Sequence, residues 1–327
     1  MMRVLVMAVL AVLCGCGSVG RDNAQRFEFR RLVMGVEAQV VVYAKDEPTA
    51  TAGARAAYAR LAELEQVFSD YRPGSEVMQL CDRAGQGPIP VSDDLFAVLA
   101  AADRVHALTN GALDPTVGPL TKLWREARAK NPPTLPDAAA IDAARSSVGW
   151  EHVVLDASAR TVAITTPGVR IDLGGIAKGY SAAEAVRTLG QVGLHRAMVT
   201  LSGDIAVGEA PPGEAGWTIE IDPGVDGVTP FTQTVRHTSV STSGDRTQFV
   251  DVGGVRYSHI LDPRTGLGVT HRTAACVIAR DGALADGLAT ALCVLPQSVR
   301  VADVRVWAWT QEPARDQGMS RKSSNSS

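Results

Sequence analysis

The sequence predicts an α+β fold rather than a doubly wound parallel sheet. Strand-like and helix-like segments are grouped along the chain instead of alternating strictly, and such grouping is typical of α+β domains. Strand patterns dominate from residue 197 to about residue 278. Hydrophobic residues make up 46% of the 327 positions, so the chain has enough apolar side chains for a full core.

The first half of the chain contains one clear strand and several helices. Residues 36–43 read as a strand, and residues 52–68 read as an alanine-rich helix with apolar side chains at helical spacing. Ser92 is a natural N-cap for a helix that extends to residue 108, because acidic residues follow it in the first turn. An Asn-Pro-Pro sequence at 131–133 interrupts the chain before a helix over 137–147.

The second half begins with three short strands, predicted over 153–155, 161–165 and 169–172. Helices are predicted over 176–189 and 283–295, and residues 301–309 allow one further strand. The tail from residue 313 is polar and serine-rich, so we expect residues 313–327 to be disordered.

The N-terminus has the pattern of an exported lipoprotein. A basic start is followed by an apolar run of nine residues over 4–12, too short for a membrane-spanning helix, which needs ~20. Leu13 and Gly15 precede Cys16 as in a bacterial lipobox, so Cys16 is the predicted lipidated residue. An ordinary cleaved signal with incidental cysteines is the alternative.

The chain then divides into four parts: a lipoprotein signal peptide over 1–15, a membrane-proximal linker over 16–26, a folded domain over 27–312 and the tail. We expect the domain to be lipid-anchored to a bacterial cell membrane, on its periplasmic or extracytoplasmic side. Net charge is near −3 and no basic stripe is present, so nucleic acid is not an expected partner. The remaining cysteines form no CxxC pair, which argues against a zinc site.

A strand, a Gly-Gly turn and a helix opening with Lys178 are predicted over 171–180. Glycine has no Cβ, so a polyanion can approach the backbone of Gly174 and Gly175 closely. The alternative is a solvated Lys178 beside an ordinary turn.

Two further patterns suggest a metal site and a catalytic base. Asp286 and Thr290 are four residues apart on one helix and share a face; a carboxylate with a hydroxyl suits Mg²⁺. The alternative is a solvated acid and a threonine bonded to its own helix. His259, followed by a Pro-x-x-Gly turn, is a candidate base for a hydroxyl nucleophile, or else a surface histidine.

Eight segments together resemble the FAD:protein FMN transferase family, the ApbE-type flavin transferases, many of which are lipoproteins. They lie in the same order as in that family, at 34–35, 69–71, 111–120, 172–180, 202–204, 241–245, 259–266 and 285–290. The resemblance implies a T-fold-like architecture of mixed, largely antiparallel sheets with helices packed on them.

The resemblance also implies an activity: Mg²⁺-dependent transfer of FMN from FAD to a threonine or serine hydroxyl of an exported redox protein, with release of AMP. The metal would be bound by Asp286, Thr290 and the carbonyl of Gly175, and His259 would be the base. The residues implied to contact FAD are Met34, Tyr71, Ala112, Leu113, Asp114, Asp172, Lys178 and Ile260.

Several positions depart from the family pattern. Val36 stands where a threonine is usual, Ala183 where an acid is usual, and Gly268 where a proline is common. Two other functions are compatible with these residues: a FAD pyrophosphatase that gives FMN and AMP, and a non-catalytic flavin-binding lipoprotein.

Overall fold

The computed structural model describes residues 24–246, 248–296 and 299–311, and it confirms the predicted α+β class. The helices are α1 Glu47–Phe68, α2 Glu76–Asp82, α3 Asp93–Leu108, α4 Gly118–Arg128, α5 Ala138–Arg145, α6 Ala177–Gln191 and α7 Gly282–Val294. The strands are β1 Gln25–Val33, β2 Val36–Ala44, β3 Ile89–Pro90, β4 Val153–Asp156, β5 Thr161–Ile164, β6 Ala197–Leu201, β7 Asp204–Val207, β8 Trp217–Ile221, β9 Phe231–Val235, β10 Thr238–Gly244, β11 Phe249–Val252, β12 Val255–Ser258, β13 Leu261–Asp262, β14 Leu267–Gly268, β15 Arg272–Ala279 and β16 Arg305–Gln311.

A seven-stranded antiparallel sheet organises the molecule, in the order β1-β2-β6-β7-β10-β15-β16. Helices α1, α6 and α7 pack side by side on one face, and α3 packs on α7. The β8–β9 hairpin covers part of the other face through Trp217, Ile219 and Ile221. The largest core cluster lies around α3 and α7, at the β10–β15 end of the sheet. Strand β7 and helices α6 and α7 therefore meet in the middle of the fold.

The starts of four helices are explained by N-capping residues. Asp46, Ser92, Asp137 and Asp281 each accept a hydrogen bond from a backbone N–H in the first turn of the helix that follows. The prediction that the first helix starts at residue 52 was wrong, because Asp46 and Pro48 start it at Glu47. Strand β1 begins at Gln25, two residues before the predicted start of the domain at 27.

The predicted strand over 169–172 was wrong. Val169 and Ile171 are buried, as their alternation suggested. Their segment, however, forms only an isolated parallel bridge between Arg170 and Val117 among the described residues. Ile171 N–H donates to Cys81 Sγ and Asp172 N–H donates to the Pro115 carbonyl. The segment is extended because its apolar side chains point into the core, and its polar groups are satisfied by loops.

Two helices were not predicted. Helix α2 follows Ser75, which caps it, and α4 begins at Gly118, near the end of the segment over 111–120 that resembles the family. Pro119 occupies the first turn of α4, where a proline is compatible with a helix. The predicted last strand is present as β16 and pairs with β15 along its length.

The predicted signal peptide, Cys16 and the tail from 313 lie outside the described residues. Within the described ranges, none of the helices combines the length and apolarity that a membrane span needs.

Candidate active site

A cleft of about 520 Å³ lies where α4, the bend before α6, the end of β10 and the β12–β13 connection converge. Ten of the residues predicted for the site line it: Tyr71, Ala112, Leu113, Asp114, Asp172, Gly175, Lys178, His259, Ile260 and Thr290. Segments distant in sequence thus meet at one cavity. Asp286 does not itself line the cleft, but its Oδ2 lies 3.8 Å from Nζ of Lys178, which does.

Close contact between α6 and α7 positions Asp286. A Cβ built at Gly179 would lie 2.2 Å from the Gly282 carbonyl oxygen and 2.7 Å from Asp286 Cβ. Only glycine therefore lets the first turn of α6 approach α7 this closely. The Gly179 N–H then donates to Asp286 Oδ2 at 3.0 Å.

The Asp286 carboxylate is almost fully buried, with 1% of the residue exposed. Burial, together with the nearby Asp204 carboxylate, raises the pKa of Asp286 to about 7. Lys178 Nζ lies 3.8 Å from Asp286 Oδ2 and 3.3 Å from Asp204 Oδ2. Burial by itself lowers the pKa of Lys178, but these two carboxylates outweigh it and the pKa is raised. One ammonium thus faces two buried acids.

Thr290 and Gly175 are adjacent across the same corner of the cleft. A Cβ at Gly175 would lie 2.9 Å from Thr290 Cγ2 and 3.2 Å from Thr290 Oγ1, so a side chain there would fill the space beside the hydroxyl. Ser243 Oγ lies 3.3 Å from Thr290 Oγ1. No group of three or more His, Cys, Asp or Glu suited to a metal exists among the described residues. A cation here would be bound by one carboxylate, hydroxyls and a carbonyl.

These donors fit Mg²⁺. The ligand atoms are hard oxygens, and Mg²⁺ usually combines few protein oxygens with water and substrate phosphate. The corner contains two buried carboxylates against one lysine, so its net charge is negative and favours a bound cation.

His259 is half-buried, and its ring is oriented by Gln248. The His259 backbone N–H donates to the Gln248 carbonyl at 3.0 Å, and Nδ1 lies 3.0 Å from the same oxygen. A carbonyl can only accept, so Nδ1 carries a proton and Nε2 of the neutral ring has a free lone pair. Burial lowers the pKa of His259, and the charge of Arg128 lowers it further. The ring is therefore neutral at physiological pH.

Tyr71 lies at the mouth of the cleft and is 73% exposed. The guanidinium carbon of Arg125 lies 4.0 Å from the centre of the Tyr71 ring. Arg125 also pairs with Asp70 Oδ2 at 2.5 Å and with Asp172 Oδ2 at 3.2 Å. One face of the ring is thus covered by an arginine fixed at two points, which leaves the other face for a planar ligand.

Three predicted contact residues have other partners. Asp114 accepts hydrogen bonds from Thr116 and from Trp150 N–H. Asp172 accepts from Gly174 N–H and from Arg125. Met34 packs against two core clusters and does not line the cleft, whereas Val36 does. Asp114 and Asp172 shape the loops around the cleft.

The sequence analysis assigned no individual role to several polar residues of the cleft, among them Arg125, Arg128, Asp204 and Ser243. The two arginines are three residues apart on α4, so recognising that helix would have placed both on one face. Gly268, the departure from proline, has a steric cause: a Cβ there would lie 2.4 Å from the Ser258 carbonyl oxygen.

Comparisons with known proteins agree with this architecture. The sequence profile of the ApbE family matches residues 34–305. The FAD:protein FMN transferase of Klebsiella pneumoniae is 31% identical over 306 residues, covering 90% of this chain and 86% of that protein. The protein of the same name from Treponema pallidum is 33% identical over 306 residues, covering 88% of this chain and 84% of that one.

Solved structures of similar proteins have the same fold. The flavin transferase ApbE from Vibrio cholerae superimposes with a TM-score of 0.74 at 26% identity, covering 88% of this chain and 97% of that one. The apbe protein from Thermotoga maritima gives a TM-score of 0.73 at 31% identity, covering 83% and 87% of the two chains. These matches confirm both the predicted fold and the predicted family. The chain belongs to the ApbE family.

Proposed function

We propose that this protein is an enzyme, a FAD:protein FMN transferase that uses Mg²⁺ to move FMN from FAD onto a threonine or serine hydroxyl of an exported redox protein. The observation that carries the proposal is one cleft containing both a buried oxygen-donor corner and a histidine with a free Nε2. The names of the relatives support the same activity.

In the proposed reaction the acceptor hydroxyl oxygen attacks the phosphorus of the FMN half of FAD. The new O–P bond forms as the bond from that phosphorus to the bridging oxygen breaks, and AMP leaves with the bridging oxygen and the electron pair. His259 Nε2 accepts the hydroxyl proton, which is later released to solvent. Such general-base assistance typically contributes ~10²–10⁴ in rate.

The remaining residues bind and orient. Asp286, Thr290 and the Gly175 carbonyl would hold Mg²⁺, which neutralises developing charge on the diphosphate. Lys178 supplies a fixed positive charge beside them, and Gly174 and Gly175 let the diphosphate approach the backbone. Tyr71 offers one ring face to a flavin.

The alternatives differ in what receives the FMN. A FAD pyrophosphatase would use the same corner with water as acceptor, and a flavin-binding lipoprotein would bind FAD without turnover. We would incubate the protein with FAD, Mg²⁺ and a candidate acceptor from a neighbouring reading frame, then measure acceptor mass and free AMP. FMN on the acceptor with equimolar AMP supports transfer. Free FMN with AMP indicates hydrolysis, and intact FAD indicates binding alone.

We also propose that Cys16 anchors the enzyme through lipid to the extracytoplasmic face of a bacterial membrane. The lipobox-like sequence before Cys16 supports this. Acceptors would then be proteins exported to the same side.

A further inference from the structure

The cations of the cleft are not equally neutralised. Arg125 pairs with Asp70, Lys178 with Asp204, and Arg246 with Asp222. Arg128 also lines the cleft, yet it has no carboxylate partner in the part of the chain that the structure describes. Its Nε is buried and makes no hydrogen bond. A half-buried guanidinium without an anion is unfavourable, so the site is suited to an anionic ligand.

Helix α4 presents Arg128 rigidly. Trp124, one turn earlier, is fully buried and donates through Nε1 to the Gly266 carbonyl at 2.9 Å. This contact fixes α4 against the segment that follows His259. The guanidinium carbon of Arg128 lies 5.9 Å from the centre of the Trp124 ring, as expected for residues four apart on one helix face.

Arg128 lines the same cleft as Tyr71 and His259, the residues at the two ends of the proposed FMN site. The charge of Arg125, which stacks on Tyr71, combines with burial to lower the pKa of Arg128. The positive charge of Arg128 in turn lowers the pKa of His259. An FMN moiety with its ring on Tyr71 and its phosphorus beside His259 would pass Arg128. The ring and the ribityl hydroxyls are neutral, so the only anion in that moiety is the phosphate.

We propose that Arg128 is a catalytic residue that donates hydrogen bonds to the non-bridging oxygens of the phosphate transferred with FMN. The inference rests on the proposed function and adds a residue to it. While the O–P bond to the acceptor forms and the bond to the bridging oxygen breaks, negative charge grows on those oxygens. Arg128 stabilises that charge and keeps its own protons. A guanidinium suits this role because two of its N–H groups can bind one phosphate.

The direct test compares FMN with riboflavin, which lacks only the phosphate. Dissociation constants for both would be measured with wild type, Arg128→Ala, Arg128→Lys and the control Lys122→Ala, which changes an exposed cation on the same helix. We expect the preference for FMN over riboflavin to fall ~10-fold or more in Arg128→Ala, in line with a charged hydrogen bond. Riboflavin affinity should stay constant, and Arg128→Lys should retain part of the preference.

A kinetic test follows from the same contact. Arg128→Ala should lower the kcat for AMP release by ~10², as for loss of one donor to a developing oxyanion. Added guanidinium ion should restore part of that rate in Arg128→Ala and leave wild type unchanged.

An unchanged FMN-to-riboflavin preference in Arg128→Ala would overturn the proposal. Equal weakening of both ligands would place Arg128 on the flavin ring, and a raised KM for the acceptor alone would place it on the acceptor; either result contradicts a phosphate contact. If Arg128→Ala does not fold, the ratio of FMN affinity to riboflavin affinity would be measured in Arg128→Gln and Arg128→Lys instead, and an unchanged ratio in Arg128→Gln would overturn the proposal. Wild type that binds FMN but yields neither AMP nor flavinylated protein would contradict the proposed function, while the binding ratio still reports on Arg128.

Discussion

At the scale of single residues, His259 illustrates how one backbone contact sets a chemical role. The Gln248 carbonyl fixes the proton on Nδ1, and burial lowers the pKa of the ring. A general base works in its neutral form, so activity should be lost as the pH falls through the His259 pKa. That pKa lies below the ordinary value of 6.5, so the His259 ring should already be in its neutral form at pH 7.

We therefore predict that His259→Ala slows FMN transfer ~10²–10⁴-fold, while FAD affinity is retained. The part of the acidic limb that belongs to His259 should disappear, and the part that belongs to the Asp286 carboxylate should remain. Initial rates between pH 5 and 8 and FAD titrations would measure this. His195→Ala, which changes an exposed histidine outside the cleft, is the control. Transfer at the wild-type rate in His259→Ala would exclude its role as base.

Asp286 allows a second prediction that does not depend on turnover. If its carboxylate is a ligand, Mg²⁺ should raise the Tm of the wild type, because a ligand that binds only the folded state stabilises it. Asp286→Asn keeps the shape and loses the charge, so the Tm increase and the Mg²⁺-dependent activity should both disappear. Asp142→Asn, an exposed acid of α5, is the control and should respond like the wild type. A normal Mg²⁺ response in Asp286→Asn would remove the metal assignment.

At the scale of secondary-structure elements, the α6–α7 contact decides whether the site forms. The turn before α6 supplies Gly175, and the first turn of α6 supplies Lys178. Helix α7 supplies Asp286 and Thr290, so the two helices must approach closely for these groups to meet. The helices can approach this closely only because residue 179 is a glycine, which has no Cβ to clash with α7.

We predict that Gly179→Ala destabilises the protein by about 3 kcal/mol, near the upper end of overpacking costs, and abolishes Mg²⁺ binding. Gly190→Ala, on the same helix, is the matched control: its Cβ would have no neighbour nearer than 3.5 Å. That variant should be neutral or more stable, since alanine favours helix. The free energies of unfolding of both variants would be measured in urea. Equal values for Gly179→Ala and Gly190→Ala would contradict the role of Gly179.

Helix and strand prediction succeeded where local signals were strong and failed where tertiary contacts dominated. Ser92 and its acidic first turn identified α3, and the end of α1 at Phe68 was predicted correctly. The segment over 169–172 had an apolar alternation typical of a strand, but its hydrogen bonds go to Cys81 and Pro115. Helix α4 was missed because Gly118 and Pro119 mark a turn as readily as a helix start.

At the scale of the whole molecule, the seven-stranded sheet gathers cleft residues from positions as far apart as 36 and 294. The site is thus a property of the complete domain. Strand β16 closes one edge by pairing with β15, so the chain near residue 311 belongs to the sheet.

The proposed membrane attachment gives a prediction at this scale. Cys16→Ser should release the enzyme from the membrane fraction, while FMN transfer to a free acceptor in solution is unchanged, because the anchor lies outside the catalytic domain. Fractionation with mass analysis of the mature N-terminus would measure this. Continued membrane association of Cys16→Ser would exclude the lipid anchor, and Cys14→Ser serves as the control.

The sequence by itself determined the fold class, the family and ten of the residues that line the cleft, because these depend on local patterns and on motifs at fixed spacing. Only the tertiary structure decided how those residues are used. It showed that Asp114 also binds the Trp150 N–H and that Asp172 also pairs with Arg125. It showed too that Asp204 shares Lys178 with Asp286, and that no carboxylate among the described residues pairs with Arg128. The physical reason is that burial and charge pairing depend on which distant segments meet, and no local pattern encodes that.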